Sequence, residues 1–489
     1  MGQSDLQTLD ATAWLEKLSA GEITARDLLE RHIDQIEKVN PALNAVVAFD
    51  FDRARKAADE SDKARAAGKD LGPLHGLPMT IKDALEVAGL VTTGGGPEYK
   101  DHIPTANAAV VQRVIDAGAI VIGKTNVPYM SGDLQTYNDV YGVTSNPWDT
   151  ARIPGGSSGG AAASLAAGMT TLEIGSDIGG SIRCPAHYCG VCGLKPSLAI
   201  VSKRGHIPGP PGSLSEDDLS VVGPMARSIR DLQLLFPILA GPDGLEAKGW
   251  QLALPPARTT DVKQMRIALW PDDAYSSVST DTKRLLNDMA DKLEAAGATV
   301  DRDPPMPCNL EDIAKLYTPL LGSIVLAGLP TEIKEAMAAA AAEAPEGDNS
   351  FPVLQGKGAM MSAAQRSVYS ELRAQMQQKW ETFFKSYDAV LMPNSPDAAF
   401  EKNHETPFPA RIVEVDGKAR SYADFIAWTG PAILLGLPAA SVPMGQSEAG
   451  LPINAQVMAP YLEDNTALAI AAVVEDLAGP FKAPDVSAL

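Results

Sequence analysis

Positive charge is in short supply in this chain. Across 489 residues, 41 lysines and arginines stand against 61 aspartates and glutamates, a formal net charge of −20. That balance argues against nucleic acid or an anionic membrane surface as a partner, and its plainest use is solubility. Cysteine is scarcer still: Cys184, Cys189, Cys192 and Cys308 are the whole complement, too few for a disulfide framework. Cys189-Gly190-Val191-Cys192 has C-x-x-C spacing, yet no second such pair or nearby histidine pair completes a zinc site, so no metal and no redox role is expected. Long apolar runs are missing as well. The stretch 432–438 is too short and too interrupted to span a bilayer. The opening Met1-Gly2-Gln3-Ser4-Asp5 is polar, which predicts no secretory signal, and Leu6 stands where N-myristoylation needs Ser or Thr. A cytoplasmic protein is expected. No G-K-[ST] follows the glycines of 155–164, so that stretch is not a phosphate-binding P-loop.

What the chain does have is two glycine-flanked serine sites 24 residues apart. Gly155-Gly156-Ser157-Ser158-Gly159-Gly160 precedes a small-residue helix that stops at Gly168. Gly179-Gly180-Ser181 follows the apolar run at 171–174, as a turn leaving a strand. Glycines there let a substrate come close. The successive N–H groups of Ile178, Gly179, Gly180 and Ser181 are then expected to face one oxygen beside an exposed hydroxyl. A serine also needs a base. The best placed is Lys82, ending the strand-like run of Gly76-Leu77-Pro78-Met79-Thr80-Ile81-Lys82-Asp83, where burial would lower its pKa and leave a neutral amine. Asp177 and Arg183 flank the second serine and are expected to pair and hold the turn.

These three motifs, GLPMTIKD at 76–83, PGGSSGG at 154–160 and GSDIGGSIRCP at 175–185, resemble in order and spacing those of the amidase signature family of serine hydrolases. The segments 437–443 and 450–456 are also similar to the family's carboxy-terminal part, so the resemblance spans nearly the whole chain. It implies an α/β fold, a central mixed sheet covered by helices on both faces, in a single large domain over 1–489. It implies Ser181 as acyl-forming nucleophile, Lys82 as base, and Ser157, on a cis peptide after Gly156, passing the proton between them. Ser158 is the family's second serine in this cluster, and Ile178, Gly179, Gly180 and Ser181 match its oxyanion-hole amides. The loop 129–142, with Met130, Ser131, Asp133 and Tyr137, would border the acyl side of the cleft, and Cys184 the leaving-group side. No cofactor is implied. The substrate would be a small aryl or alkyl amide, with carbamates and esters served by the same acyl-enzyme route. The assembly stays open, a homodimer included.

Around the motifs, residues 8–70 read as helices, with Leu28, Leu29, His32, Ile33 and Ile36 at helical spacing and Pro41 stopping the run. Over 71–240, the catalytic core, short apolar runs alternate with helical stretches, such as a helix within 105–118 and a buried strand at 119–123. Helices are also expected at 282–297 and 367–384, strands at 267–270, 298–300 and 389–393, and a mainly helical lid or substrate-selecting insertion at 305–363.

Two rival readings remain. Gly155-Gly156-Ser157-Ser158-Gly159 satisfies the G-x-S-x-G elbow of α/β-hydrolases, with His187, His206 or His404 as base, although no strand leads into that serine. Within the resembled family, one branch supplies the glutamine-hydrolysing subunit of a tRNA-linked amidotransferase. That branch usually carries glutamine where this chain has Cys184, and it continues differently from 203–210.

Overall fold

The amino-terminal helices begin at side chains that cap them. Asp10, Thr24 and Asp50 each accept a 3.0 Å hydrogen bond from the amide three residues on, and they open helices Ala11–Ser19, Ala25–Leu43 and Phe51–Ala66. The expected stop at Pro41 is corrected. Pro41 lies in the last turn of its helix, and Asn44, at φ 50°, ends it by returning its N–H to Asn40 O at 2.7 Å. The computed structural model describes residues 5–69, 71–405, 408–487 and 489. Met1 to Ser4, on which the leader reading rests, lie outside them.

Two sheets follow. In the smaller, Ile120–Thr125 pairs antiparallel with Val46–Phe49 and parallel with Pro78–Lys82. The larger has eight strands in the order Thr299–Asp301, Arg266–Leu269, Ala389–Pro393, Pro452–Met458, Ala439–Gln446, Cys192–Lys195, Val221–Ala226 and Leu172–Asp177. The first three run parallel and every later pair antiparallel, so the sheet is mixed, and helices flank it. The chain is thus a single-domain α/β fold around a large mixed sheet.

Polar side chains join the two sheets at one seam. Thr80 donates to Glu173 Oε1 at 2.5 Å, its amide donates to Thr170 Oγ1 at 3.0 Å, and Thr171 donates to Pro78 O at 2.5 Å. All of these groups are buried, so each bond forms without competition from water. Helix Gly159–Ala166 is wedged beside the seam with every residue buried. Only small residues fit: a Cβ on Gly160 would lie 2.7 Å from the carbonyl oxygens of Ala45 and Asn126.

The segment 305–363 forms helices Leu310–Val325, Thr331–Glu343 and Phe351–Ala359. The first is packed on the core. It buries Ile313, Tyr317, Leu320 and Leu321 against Cys184, Tyr188 and Phe425. The second has no buried residue. Among the described residues, no helix is long and apolar enough to cross a membrane.

Candidate active site

Lys82 is the last residue of its strand and is fully buried, as are Ser157 and Ser158. Its Nζ lies 2.7 Å from Ser157 Oγ and 2.9 Å from both Ser158 Oγ and Ser176 Oγ. The next residue fixes its direction: the Asp83 carboxylate takes the amide and hydroxyl of Thr93, and Lys124 Nζ approaches it at 3.4 Å. Burial pushes the Lys82 ammonium down to about 7, against the opposing pull of Asp177 and Glu173. Two of the hydroxyls around Nζ come from the turn at 157–158 and the third from strand Leu172–Asp177, so this environment exists only in the folded chain.

The Gly156–Ser157 peptide is cis. Ser158 donates its amide to Ser181 O at 3.1 Å, which ties the first serine site to the second. In the turn after strand Leu172–Asp177, the Asp177 carboxylate accepts from Gly180 N–H at 2.8 Å, Ile182 N–H at 3.1 Å, and Arg183 Nε and Nη2 at 3.0 and 2.9 Å. Burial alone would raise the Asp177 pKa, but the Arg183 charge and these bonds outweigh it and hold the carboxyl below its ordinary range. Gly180 adopts φ 97°, and a Cβ there would stand 2.7 Å from Cys184 Sγ. Ser181 is 7 % exposed, whereas Lys82 and Ser157 are at 0 %, so it alone of the three meets solvent. The lysine–Ser157 contact is formed; Ser181 Oγ has no hydrogen-bond partner among the described residues.

One oxyanion expectation is corrected. The Gly180 N–H is bound to Asp177, so it does not share a direction with its neighbours. Ile178, Gly179 and Ser181 N–H have no acceptor among the described residues.

The other predicted positions divide. Met130 and Ser131 are consecutive non-glycine residues at φ 48° and 55°, and Ser131 Oγ is buried without a partner. Asp133 and Tyr137 are engaged within the protein. Arg411 reaches Asp133 Oδ2 at 2.6 Å and Tyr137 OH at 2.7 Å, its guanidinium lies 5.2 to 5.8 Å from the ring centroids of Tyr422, Phe408 and Tyr137, and Tyr422 OH donates to Asp133 Oδ1. This loop is therefore latched to the segment around 411, and neither group is free for a ligand. Cys184 is corrected too: it is fully buried in an apolar cluster, and burial pushes its thiol up to about 12. Of the three histidines, His187 bonds to backbone at Asn454 and Asp397, His404 stacks on Tyr137 at 4.1 Å, and His206 bonds to Ser176; none is bonded to Ser157.

Beside the nucleophile turn lies a cavity walled by Tyr275, Ile313, Tyr317, Phe351, Ile426 and Asp424, with smaller residues between them. It adjoins the turn through Tyr317, whose hydroxyl donates to Ile178 O at 2.7 Å.

Four further residues shape the site. Ser176 stands within the GSD that opens the third motif, so its nearness to the site is readable there. His206 Nε2 lies 2.8 Å from Ser176 Oγ, and burial and the Lys82 charge push its pKa down to about 3. Arg411 and Tyr317 come from distant segments with no local pattern to mark them.

The amidase family profile matches residues 27–468. A glutamyl-tRNA(Gln) amidotransferase chain of Synechococcus sp. (strain CC9605), the A component of that enzyme, is 34 % identical over 506 aligned positions, covering 99 % of this chain and 99 % of that one. Among solved structures, a bacterial aryl acylamidase superposes with a TM-score of 0.78 at 25 % identity, covering 97 % of each chain. The corresponding glutamyl-tRNA(Gln) amidotransferase component of Thermotoga maritima superposes with a TM-score of 0.78 at 26 % identity, covering 99 % of each. With its signature motifs gathered at one buried site and matches running almost end to end, the chain belongs to the amidase signature family, whose enzymes act on amide C–N bonds.

Proposed function

We propose that the protein hydrolyses amides with an apolar acyl group to a carboxylic acid and an amine, through an acyl-enzyme on Ser181. The observation that carries the reading is the 2.7 Å contact between a fully buried Lys82 and Ser157. A neutral amine has two N–H groups and one lone pair. It satisfies three hydroxyls by donating to two and accepting from the third, and accepting from Ser157 starts the relay. Ser157 then takes the Ser181 proton as Ser181 attacks the carbonyl. The same path returns a proton to the departing amine, and water frees the acid. Carbamates and esters would follow the same route.

The cavity adjoining the turn through Tyr317 has none of Lys82, Ser157 and Ser181 in its lining, so the acyl preference rests on the family resemblance. The cavity's only charged side chain among the described residues is Asp424, and no lysine, arginine or histidine lines it. The second reading, a glutamine-hydrolysing component of a heteromeric amidotransferase with protein partners, is favoured by the 34 % identity to the amidotransferase chain of Synechococcus. Initial rates separate the two. The chain alone is expected to turn over an aryl amide such as butyranilide and to leave L-glutamine almost untouched. Glutamine turnover that emerges only with the other amidotransferase components added would reverse the choice.

The pH profile is a further expected result. Because the reaction needs neutral Lys82, whose pKa is lowered to about 7, kcat/KM should fall about tenfold per unit as the pH drops below about 7. A flat profile from about pH 5 to 9 would contradict the lysine's role. Glu173, which burial raises to about 7, titrates in the same window but is bonded to Thr80 and the Ile174 amide, so Glu173→Gln should keep the profile's shape.

A further inference from the structure

Three consecutive peptides in the nucleophile turn are each held at one end. All three are trans, so the C=O and N–H of each point in opposite directions. In the peptide joining Ile178 to Gly179, the carbonyl accepts from Tyr317 OH at 2.7 Å and the Gly179 N–H is free. In the next, the Gly180 N–H is bound to Asp177 at 2.8 Å. In the third, Gly180 O accepts from Cys184 N–H at 2.7 Å and the Ser181 N–H is free. Among the described residues, the amides of these three peptides without an acceptor thus belong to the first and third, each standing opposite a carbonyl that is already fixed; the Ile178 N–H, also without one, belongs to the preceding peptide.

We infer that Tyr317 is the positioning residue that aims the Gly179 N–H, one of the turn amides that the family resemblance assigns to the oxyanion hole. The inference rests on the Ser181 acyl-enzyme reading. The second and third peptides are braced from within the turn, by Asp177 and by the helix that starts at Arg183. The first has only Tyr317, which reaches in from helix Leu310–Val325. Gly179 gives that peptide no side chain on one side, with only Ile178 packed on the other, and a rotation would turn the Gly179 N–H away from the developing charge. Tyr317 is suited to the task. It is 2 % exposed, its oxygen stands 3.3 Å from where a Gly179 Cβ would be, and burial pushes its pKa up, which keeps the hydroxyl a donor at any working pH. It touches no reacting atom and acts through the peptide.

The test uses Tyr317→Phe in the full chain, which keeps the ring and removes only the hydroxyl. Loss of a whole oxyanion donor lowers kcat by roughly 10²–10³-fold; loosening one should lower it about tenfold with KM within about twofold. Affinity for an arylboronic acid, whose adduct places an oxyanion in the same position, should weaken by the same factor as kcat/KM. Tyr317→Leu serves as the comparison: positioning puts the loss between Tyr and Phe, whereas a mere cavity wall puts it between Phe and Leu and moves KM. An unchanged kcat in Tyr317→Phe, or a fall that the boronate does not share, overturns the inference while Ser181 labelling by a fluorophosphonate stays normal. Failure of the wild type to label on Ser181 removes the acyl-enzyme reading and this inference together.

Discussion

Ser181→Ala is expected to lower kcat on every amide substrate by roughly 10⁴–10⁶-fold, the scale on which removing a serine nucleophile acts. The argument is positional. Of Lys82, Ser157 and Ser181, Ser181 alone reaches solvent, its carbonyl is tied to the Ser158 amide, and the turn it ends is cross-braced by Asp177 and Arg183. The substitution removes one oxygen that makes no hydrogen bond among the described residues, so the fold should be untouched and the melting temperature nearly unchanged. A fluorophosphonate should leave one adduct on wild type, mapping to the Ser181 peptide, and none on Ser181→Ala. An adduct on Ser157 instead would exchange the roles of the two serines.

Lys82→Met is expected to lower kcat/KM by about 10²–10⁴-fold, the contribution of a general base. It should also change how stability varies with pH. Folded, Lys82 titrates at about 7; unfolded, it returns to its ordinary value near 10.5. Between these values the unfolded chain holds the extra proton, so the stability of the wild type rises with pH across that window, by at most about 1.4 kcal/mol per unit from this group. Methionine fills much the same volume and has no proton to lose. Urea midpoints at about pH 7 and about pH 9.5 should therefore rise more in wild type than in Lys82→Met. An equal rise in both would mean that the folded lysine keeps its ordinary pKa.

The extent to which this site can be read in the sequence follows from how its residues are brought together. Lys82, Ser157 and Ser181 each sit in a local signature, a strand end or a glycine turn, so the chain itself announces them. The strands at 119–123 and 389–393 are equally plain, because a short apolar run beside a glycine or proline has few other uses. What stays hidden depends on separation. Tyr317 meets Ile178 across 139 residues, and Arg411 meets Asp133 across 278. No spacing rule reaches that far. Asp133 and Tyr137 have the polarity of ligand-binding groups, and it takes Arg411 to show that they are already occupied. Cys184 follows the nucleophile closely enough to suggest a pocket wall, but the helix from Arg183 to Cys189 turns it inward. Pro41 misleads for a simpler reason: a proline in a last turn forfeits little.

The seam between the sheets makes the active state a matter of coincidence. Lys82 hangs from one sheet, Ser181 follows an edge strand of the other, and Thr80, Glu173, Thr170 and Thr171 hold the two in register. The exposed residues at 142–143 lie between these contributions in the chain. A break there would leave the base on one fragment and both serines on the other, each inert alone. Such a pair would report its own reassembly, because chemistry would return only when the sheets met again in register.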